Sequence, residues 1–557
     1  MIIVPTSQQL SIRDELALNL LIVAPAGCGK TEALALRIQG LLRRNAVALP
    51  QKILVVTFSN RARDNIRDRL RLYLSHAELR DRITVANFHG LSARIFRAHS
   101  NVIGLDATML MPENDWVGDE CRHLSLDFPA QRQVQRELRE AKQDPRNDAA
   151  VEALLHGTAL SIERKRKLEK RLTYDDLPRL AELILEHQAV SRLYRAHFGA
   201  IVVDEYQDLT LQQLRIVRAI GETRTTYAGD LAQGIYNFAG AQPLAVDQAI
   251  RKECALVVQL DESHRSSPAV LEAVNSLLDL TRGLRLTAAD PSSWPSSGLA
   301  GHVTHCDVQS EATYVLKLAE NILRNDSRQR IGIIARSASR RRFADDVFAS
   351  SLIESHRWDD GVLDPEIAKT VRAMLSTFDE RGFITAADKL EFLRSAASLD
   401  TVIDPTLRES LAGALRWCCD LLIGGKTSED IVARVKVGDS STLVTAPGVH
   451  LLTGHVGKGQ QFDWVFVLGM EDGVIPNFNA VSADDIAEEA RVLAVMISRA
   501  RHGVVLNNSN TVPTLSGRIR DQSPSRFFSQ LDTVGLADES EIDDWFAKVD
   551  WTSVAQR

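Results

Sequence analysis

The sequence lacks the hallmarks of several protein classes. Its six cysteines are scattered and include no C-x-x-C pair, which argues against a zinc ribbon, an iron–sulfur clasp or a secreted disulfide framework. No run of about 18 apolar residues occurs, and the opening MIIVPTSQQL has no basic leader before an apolar core. We therefore expect a cytoplasmic protein in a reducing compartment, off the membrane.

An excess of positive charge is also lacking. The chain has 66 Lys and Arg against 73 Asp and Glu, a net charge of -7, so no overall field attracts polyanions. Any nucleic-acid contact must use local patches. What is present is the composition of a soluble globular protein, 45% hydrophobic and 25% charged, and 557 residues are enough for three or four ordinary domains.

Three segments alternate a short apolar run, a turn and a helical pattern. They are NLLIVAPAGCGKTEALALRIQGLL, KILVVTFSNRARDNIRDRLRLYL and AIVVDEYQDLTLQQLRIVRAI. This alternation predicts a doubly wound parallel sheet, with ligands bound at the carboxyl ends of the strands. Residues 100–195 are charged and helical in pattern, and we interpret them as an insertion.

A second α/β region follows the stretch LTAADPSSWPSSGLAG at 285–300, which we interpret as an inter-domain connection. Its strand candidates are GHVTHC, RIGIIARS and DWVFVLGM, with helices near 309–325 and 486–501. Residues 355–440 interrupt it with mainly helical sequence. The chain is thus expected to contain two α/β cores, each carrying an insertion.

The segment APAGCGKT, Ala24 to Thr31, matches a phosphate loop except at its first position, where the pattern has glycine. A polyphosphate needs backbone N–H groups at a helix N-terminus, a lysine on the β and γ oxygens and a hydroxyl on magnesium. The predicted nucleotide-binding residues here are Ala26, Gly27, Cys28, Gly29, Lys30 and Thr31. The alternative is a strand–turn–helix that merely contains GKT.

Two acidic residues, Asp204 and Glu205, end the apolar strand AIVV. One carboxylate in such a pair can hold the water shell of Mg²⁺ while the next orients or deprotonates an attacking water. The alternative, a solvated acidic strand end, suits D-E alone but fits DEYQD beside a phosphate loop poorly.

With these residues in place, the chain resembles the UvrD/Rep/PcrA group of superfamily 1A DNA helicases, because the motifs of that group recur in order. TFSNRARDNIRDRL resembles motif Ia, NFHGLSARIFRAH motif Ib, DEYQD motif II and AGDLAQGIYNFAGAQ motif III. ESHRSSPAVLEAVN resembles motif IV, LLTGHVGKGQQFDWVFVLGMEDGVIP motif V and EEARVLAVMISRAR motif VI. Each match is weak alone, but together they are specific.

The resemblance implies an α/β fold of two RecA-like P-loop domains, with parallel sheets flanked by helices and a mainly helical insertion in each. The expected boundaries are 1–98 and 176–280 for domain 1A, 99–175 for insertion 1B, 281–354 and 443–557 for domain 2A with the C-terminal tail, and 355–442 for a reduced insertion 2B.

The resemblance also implies roles at an ATP and Mg²⁺ site. Lys30 and Thr31 would hold phosphate and magnesium, Asp204 would complete the metal shell, and Glu205 would activate water. Other implied contacts are Gln9 to adenine, Gln233, Arg265 and Arg499 to the γ-phosphate, and Gly459 and Gln461 of motif V to the nucleotide. The open alternatives are an exposed turn glutamine for Gln9 and helix-surface ion pairs for the two arginines.

Single-stranded DNA is the implied partner. Aromatic faces stack on any base, which suits a motor that ignores sequence. Phe58, Phe88, Tyr236 and Phe238 stand at family positions along the strand, whereas Asn60, His89, Thr453 and His455 would touch its backbone or couple the two sites. Phe58 and Phe88 could instead be core residues that follow strands.

Some positions depart from the family pattern. Phe238 replaces a usual tryptophan, Ala239 an arginine, Gln461 a glutamate and Asn87 a threonine. Phe238 and Ala239 predict weaker single-strand affinity, and Gln461 and Asn87 predict altered contacts with the nucleotide sugar and with DNA. The short second insertion near 355–440 favours translocation over strand separation without a partner.

Two functions remain open. The first is an ATP-driven single-stranded DNA translocase and helicase, with 3′-to-5′ polarity implied only by the resemblance, acting on single strands or tailed duplexes. The alternative is a DNA-stimulated ATPase switch, a subunit of an anti-phage defence or DNA repair complex that does not unwind DNA alone. Compact members with reduced insertions resemble the helicase subunit of Gabija-type systems, so a nuclease subunit is a candidate partner.

Overall fold

The chain separates into two units, Met1–Asp261 and Glu262–Arg557. The computed structural model describes residues 5–58, 60–112, 116–235, 240–358, 362–363, 365–401, 405–437, 446–455, 458–514 and 518–556. Within these ranges, no helix has the length and apolar character that a membrane span requires.

The first unit is built on one six-stranded sheet. Its strands are β1 (Leu20–Val23), β2 (Lys52–Thr57), β3 (Ile83–Asn87), β4 (Phe198–Asp204), β5 (Thr225–Gly229) and β6 (Leu256–Gln259). Its helices are α1 (Ser7–Asp14), α2 (Lys30–Arg43), α3 (Asn60–Leu70), α4 (His76–Arg82), α5 (Phe88–His99), α6 (Trp116–His123), α7 (Phe128–Ala141), α8 (Asp148–Leu154), α9 (Gly157–Leu168), α10 (Asp176–Leu185), α11 (Gln188–His197), α12 (Leu211–Gly221) and α13 (Pro243–Glu253).

All pairings in this sheet are parallel, in the order β3-β2-β4-β5-β1-β6. Strands β1 and β4 are buried along their whole length, as expected for apolar runs with helices on both faces of a parallel sheet. Because the strands are parallel, the segments that follow β1, β4 and β5 emerge at the same edge. The phosphate loop, DEYQD and GDLAQ are those segments.

Helices α6–α9 form a separate helical part between β3 and β4, with a small apolar core of their own. A buried ionic cluster supports it. Nζ of Lys142 lies 2.9 Å from Glu163 and 3.0 Å from Asp176, and Arg179 contacts Asp176 at 2.7 Å. Such charges are tolerated in a dry interior only when they are paired, so the end of α7, α9 and α10 are fixed to one another by specific contacts.

The second unit contains eleven strands. They are β7 (Glu262–Ser263), β8 (Thr287–Ala288), β9 (Leu299–Asp307), β10 (Arg330–Ala335), β11 (Ser355–Arg357), β12 (Val362–Leu363), β13 (Lys436–Val437), β14 (Gly448–Thr453), β15 (Phe462–Leu468), β16 (Ala500–Pro513) and β17 (Ile519–Asp521) among the described residues. Its helices are α14 (Pro268–Asn275), α15 (Leu278–Thr281), α16 (Val308–Asn325), α17 (Ala338–Ala349), α18 (Pro365–Ser376), α19 (Glu380–Thr385), α20 (Lys389–Ala396), α21 (Pro405–Ile423), α22 (Ser428–Arg434), α23 (Ala483–Ile497), α24 (Phe528–Leu531), α25 (Glu539–Lys548) and α26 (Trp551–Gln556).

The main sheet of this unit has seven strands in the order β11-β14-β10-β15-β16-β17, with β9 also paired to β16. Only β17 runs antiparallel to its neighbour. The three strand candidates from the sequence correspond to β9, β10 and β15, and the two predicted helices correspond to α16 and α23. Helices α18–α22 fill the predicted second insertion. The fold class is therefore confirmed.

The division between the units falls earlier than the sequence suggested. It lies at Asp261 and Glu262 instead of 280 and 281, and α14 packs in the second unit, where Ser267 donates to the carbonyl of His502 at 3.0 Å. The interpretation of residues 285–300 as an inter-domain connection is wrong, because the stretch lies inside the second unit. Its Trp294 is buried, with its ring 5.5 Å from that of His502.

Candidate nucleotide site

The phosphate loop joins β1 to α2, which begins at Lys30. Gly27 and Gly29 have φ angles of 88° and 74°, in the left-handed region that favours glycine. Ala24, by contrast, is a buried residue at the strand end without a positive φ, and its N–H donates to the carbonyl of Gly229 at 2.9 Å. An alanine therefore fits the first position of the motif without backbone strain.

Gln9 lies against this loop. Its Oε1 accepts from the N–H of Thr6 at 3.0 Å, and its Nε2 donates to the carbonyl of Gly29 at 3.3 Å. The side chain is buried, so the exposed-turn interpretation of Gln9 is wrong. Its contact with adenine stays a prediction.

The other loop residues surround the start of α2. Ala26 and Thr31 are half-buried, whereas the thiol-bearing Cys28 is buried. A cavity of about 420 Å³ adjoins Thr31 and is otherwise lined by Asn65, Asp68, Arg69 and Leu72. Thr31 therefore lies beside open space at the start of α2.

Lys30 meets both acidic residues of DEYQD. Its Nζ lies 3.3 Å from Oδ1 of Asp204 and forms an ion pair with Oε1 of Glu205. Burial lowers the pKa of Lys30, but the two carboxylates outweigh it and raise the pKa above its usual value. Burial raises the pKa of Asp204, with Lys30 opposing that shift and Glu205 adding to it.

The same residues fit a magnesium ion. No group of three or more His, Cys, Asp or Glu side chains is placed to hold a metal among the residues that the structure describes. Mg²⁺ in nucleotide hydrolases needs no such cage, since it is held by one or two protein oxygens, substrate phosphates and water. Thr31 and the buried Asp204 offer that donor set.

A hydrogen-bonded chain extends from Glu205. Nε2 of Gln207 donates to Oε2 of Glu205 at 2.6 Å, and Oε1 of Gln207 accepts from the N–H of Asp230 at 3.0 Å. Oδ2 of Asp230 accepts in turn from Nε2 of Gln233 at 3.0 Å. Sequence reasoning selected Glu205 and Gln233 but missed Gln207 and Asp230, although both stand inside the quoted motifs.

The two candidate arginines lie in the second unit. Arg499 is buried, with Nε donating to the carbonyl of Val495 at 2.9 Å and Nη2 to the hydroxyl of Ser498 at 3.0 Å. These contacts hold the guanidinium against the end of the preceding helix, α23, so Arg499 is not at an exposed helix surface as the alternative requires. Arg265 is half-buried, in the loop between β7 and α14.

Motif V residues occupy the carboxyl end of β14 and the loop beyond it. Thr453 ends the strand, and Nδ1 of His455 lies 3.3 Å from Nη1 of Arg336. Gly459 has a φ of 90°, and Gln461 is exposed. No nucleotide contact of these residues is tested by the structure, so their roles stay predictions.

The candidate DNA contacts of the first unit divide by exposure. Phe58 is 38% exposed, whereas Phe88 is only 3% exposed, so its ring has no free face for a base and the core interpretation suits it. His89 is exposed and packs edge-on against Tyr174 at 5.4 Å. Asn60 begins α3, but its side chain, like the whole of Tyr236 and Phe238, lies outside the described residues.

A phosphate loop on a parallel sheet, with paired carboxylates at the same edge after a strand two places away, defines a P-loop nucleotide hydrolase. The model of the UvrD/REP helicase N-terminal domain matches residues 5–253, and that of the UvrD-like helicase C-terminal domain matches residues 429–511. The chain belongs to the UvrD-like superfamily 1A helicases, ATP-dependent hydrolases with two RecA-like domains.

Curated relatives match most of the chain. The ATP-dependent DNA helicase UvrD2 of Mycobacterium tuberculosis is 26% identical, over 94% of this chain and 80% of that protein. The ATP-dependent DNA helicases PcrA of Leuconostoc citreum and of Staphylococcus aureus are each 23% identical over 92% of this chain, and over 82% and 84% of their own lengths.

Proposed function

We propose that this protein is an ATP-driven motor on single-stranded DNA that moves 3′ to 5′ and displaces the strand ahead of it. The observation that carries the proposal is the cluster of Lys30, Asp204 and Glu205, continued through Gln207 and Asp230 to Gln233. It joins a hydrolytic site to the segment that resembles motif III. The names of the relatives, ATP-dependent DNA helicases, support the choice of DNA.

In this proposal each side chain has one task. Hydrolysis of ATP supplies the free energy, and Thr31 and Asp204 would hold Mg²⁺, whose positive charge would offset that of the phosphates. Lys30 exchanges its carboxylate partners for phosphate oxygens, since a lysine ammonium binds phosphate as a point charge. That exchange releases Oε1 of Glu205, which is then free to orient or deprotonate the attacking water.

Tailed duplexes test the proposal. The protein, with ATP and Mg²⁺, is expected to displace the labelled strand from a duplex with a 3′ single-stranded tail and to leave a matched 5′-tailed duplex intact. Glu205→Gln is the control, because it keeps the fold and removes the water-activating carboxylate. Displacement from the 5′ tail alone would contradict the proposed direction.

A second function is favoured by the small second insertion, which among the described residues consists of α18–α22 and two two-residue strands. A reduced insertion suits an ATPase switch that works inside a defence or repair complex with a partner such as a nuclease. ATP hydrolysis that single-stranded DNA stimulates, without displacement from either tail, would support this switch over the autonomous helicase.

A further inference from the structure

Gln207 lies between the two acidic segments of the nucleotide site and is completely buried. One end of its amide donates to Oε2 of Glu205 at 2.6 Å, and the other accepts from the backbone N–H of Asp230 at 3.0 Å. A single side chain therefore connects the residue that follows β4 to the residue that follows β5.

The chemistry of the partners fixes the direction of this amide. A backbone N–H can only donate, so it must face Oε1 of Gln207, and an ionised carboxylate can only accept, so it must face Nε2. A leucine of similar size would leave both partners without this hydrogen bond. A glutamate would satisfy Asp230 but not the ionised Glu205.

Two features of the neighbouring backbone, the glycine at position 229 and the left-handed conformation of Glu205, relate to Gln207. A Cβ added at Gly229 would collide with Oε1 of Gln207 and lie 2.7 Å from the ring of Tyr206, so glycine leaves the room that the amide needs. Glu205 has φ 58° and ψ 52°, a left-handed conformation that residues other than glycine seldom adopt. Surrounding contacts must hold it there, and Gln207 supplies one of them.

We propose that Gln207 is a positioning residue for ATP hydrolysis, which holds the Glu205 carboxylate and makes its position follow the segment Gly229–Gln233. The inference rests on the proposed role of Glu205 in activating water. Because Lys30 contacts Oε1 and Gln207 contacts Oε2, Gln207 still fixes the carboxylate after Lys30 has turned to phosphate. A shift of the segment after β5 would then change the rate of hydrolysis by moving the Glu205 carboxylate.

Steady-state hydrolysis of ATP, with single-stranded DNA present, tests the proposal in Gln207→Leu. A misplacement of a catalytic group by about 1 Å can cost on the order of 10²-fold in rate, so we expect kcat to fall roughly 10-fold to 100-fold while KM changes by less than about 3-fold. Gln212→Leu is the matched control. Gln212 is another buried glutamine, and it donates to the carbonyl of Lys142 at 3.1 Å, away from Glu205.

Gln207→Glu adds a pH signature that a purely structural role would not give. The side chain at this position contacts the carboxylate of Glu205 directly, and a negative charge this close favours protonation of an introduced carboxyl. Once protonated, that carboxyl can donate to Glu205 as the amide does. The kcat of Gln207→Glu relative to wild type should therefore rise as the pH falls from about 8 to about 6.

Three outcomes would overturn the inference. An unchanged kcat in a folded Gln207→Leu protein would do so, as would equal losses in Gln207→Leu and Gln212→Leu. If Gln207→Leu does not fold, a Gln207→Glu protein with a flat relative pH profile would be decisive. A wild type without ATPase activity would instead overturn the proposed function on which the inference rests.

Discussion

Backbone conformation explains which residues of the phosphate loop can vary. Gly27 and Gly29 occupy left-handed conformations, whereas Ala24 continues the buried strand with an ordinary backbone. A methyl group is harmless at Ala24 and costly at Gly29, where an added Cβ would collide with Nε2 of Gln9. The glycine requirement is therefore local to the turn at Gly27 and Gly29.

Gly29→Ala should destabilise the protein and weaken ATP binding, since it combines backbone strain with displacement of Gln9. Gly104→Ala is the control, because Gly104 has a similar φ of 72° but no atom within 4 Å of an added Cβ. Strain alone should cost about 1–2 kcal/mol of unfolding free energy at Gly104. Urea unfolding and ATP titration measure both effects.

Gly29→Ala should lower the free energy of unfolding by more than Gly104→Ala does. Only Gly29→Ala should raise the Kd for ATP. Equal destabilisation by the two substitutions, with unchanged ATP affinity, would show that Gln9 and Gly29 do not form part of the nucleotide site.

Single residues were predictable where a motif fixes their place on the backbone. Lys30, Asp204 and Glu205 are brought together as expected, because the ends of parallel strands share one edge. Gln207 was missed, since its role depends on Asp230 lying opposite, which spacing along the chain does not reveal. Phe58 and Phe88 both follow strands, and only tertiary packing decides that one is exposed and the other buried.

Helix α16, helix α17 and the segment after β15 are joined by one buried cation. Nη1 of Arg340 lies 2.7 Å from Oε2 of Glu311, and Nη2 lies 2.7 Å from Oε1 of Glu471. Burial raises the pKa of Glu311 to about 7, with Arg340 opposing the shift and Glu471 adding to it. One guanidinium therefore pairs with two carboxylates.

Glu311→Gln should change how stability depends on pH. The folded pKa of Glu311 lies above its unfolded value, so its contribution is fully present below the unfolded pKa of about 4.5 and is lost as pH rises through about 7. Relative to wild type, the variant should become more stable between about pH 5 and about pH 8, because its neutral amide is insensitive to pH.

Urea unfolding at these two pH values measures that difference. Glu320→Gln on the exposed face of the same helix is the control and should track wild type at both. The same pH dependence in wild type and Glu311→Gln would contradict the raised pKa.

The sequence predicted individual helices and strands better than it predicted how they divide between the two units. The apolar run FGAIVVD forms a strand, and the charged segment between β3 and β4 is helical as expected. The connection at 285–300 was misplaced because proline, serine and glycine indicate a break in periodicity, not the end of a domain. Trp294 of that stretch is buried in the second unit beside the ring of His502, and composition cannot show such a long-range contact.

At the scale of the whole molecule, two α/β units carry the helicase motifs, and a net charge of -7 leaves DNA contact to local groups. The order of the motifs in the sequence was enough to identify the family. Direction of movement, partners and biological setting depend on surfaces that short motifs do not encode, and they remain proposals.

The central claim is that Glu205 activates water for ATP hydrolysis in a DNA-dependent motor. The direct measurement is ATP hydrolysis by wild type and Glu205→Gln, with and without single-stranded DNA, alongside ATP binding by both. Single-stranded DNA should stimulate the wild type, and Glu205→Gln should lose on the order of 10²-fold or more in kcat while still binding ATP. Hydrolysis by Glu205→Gln at the wild-type rate would contradict the account.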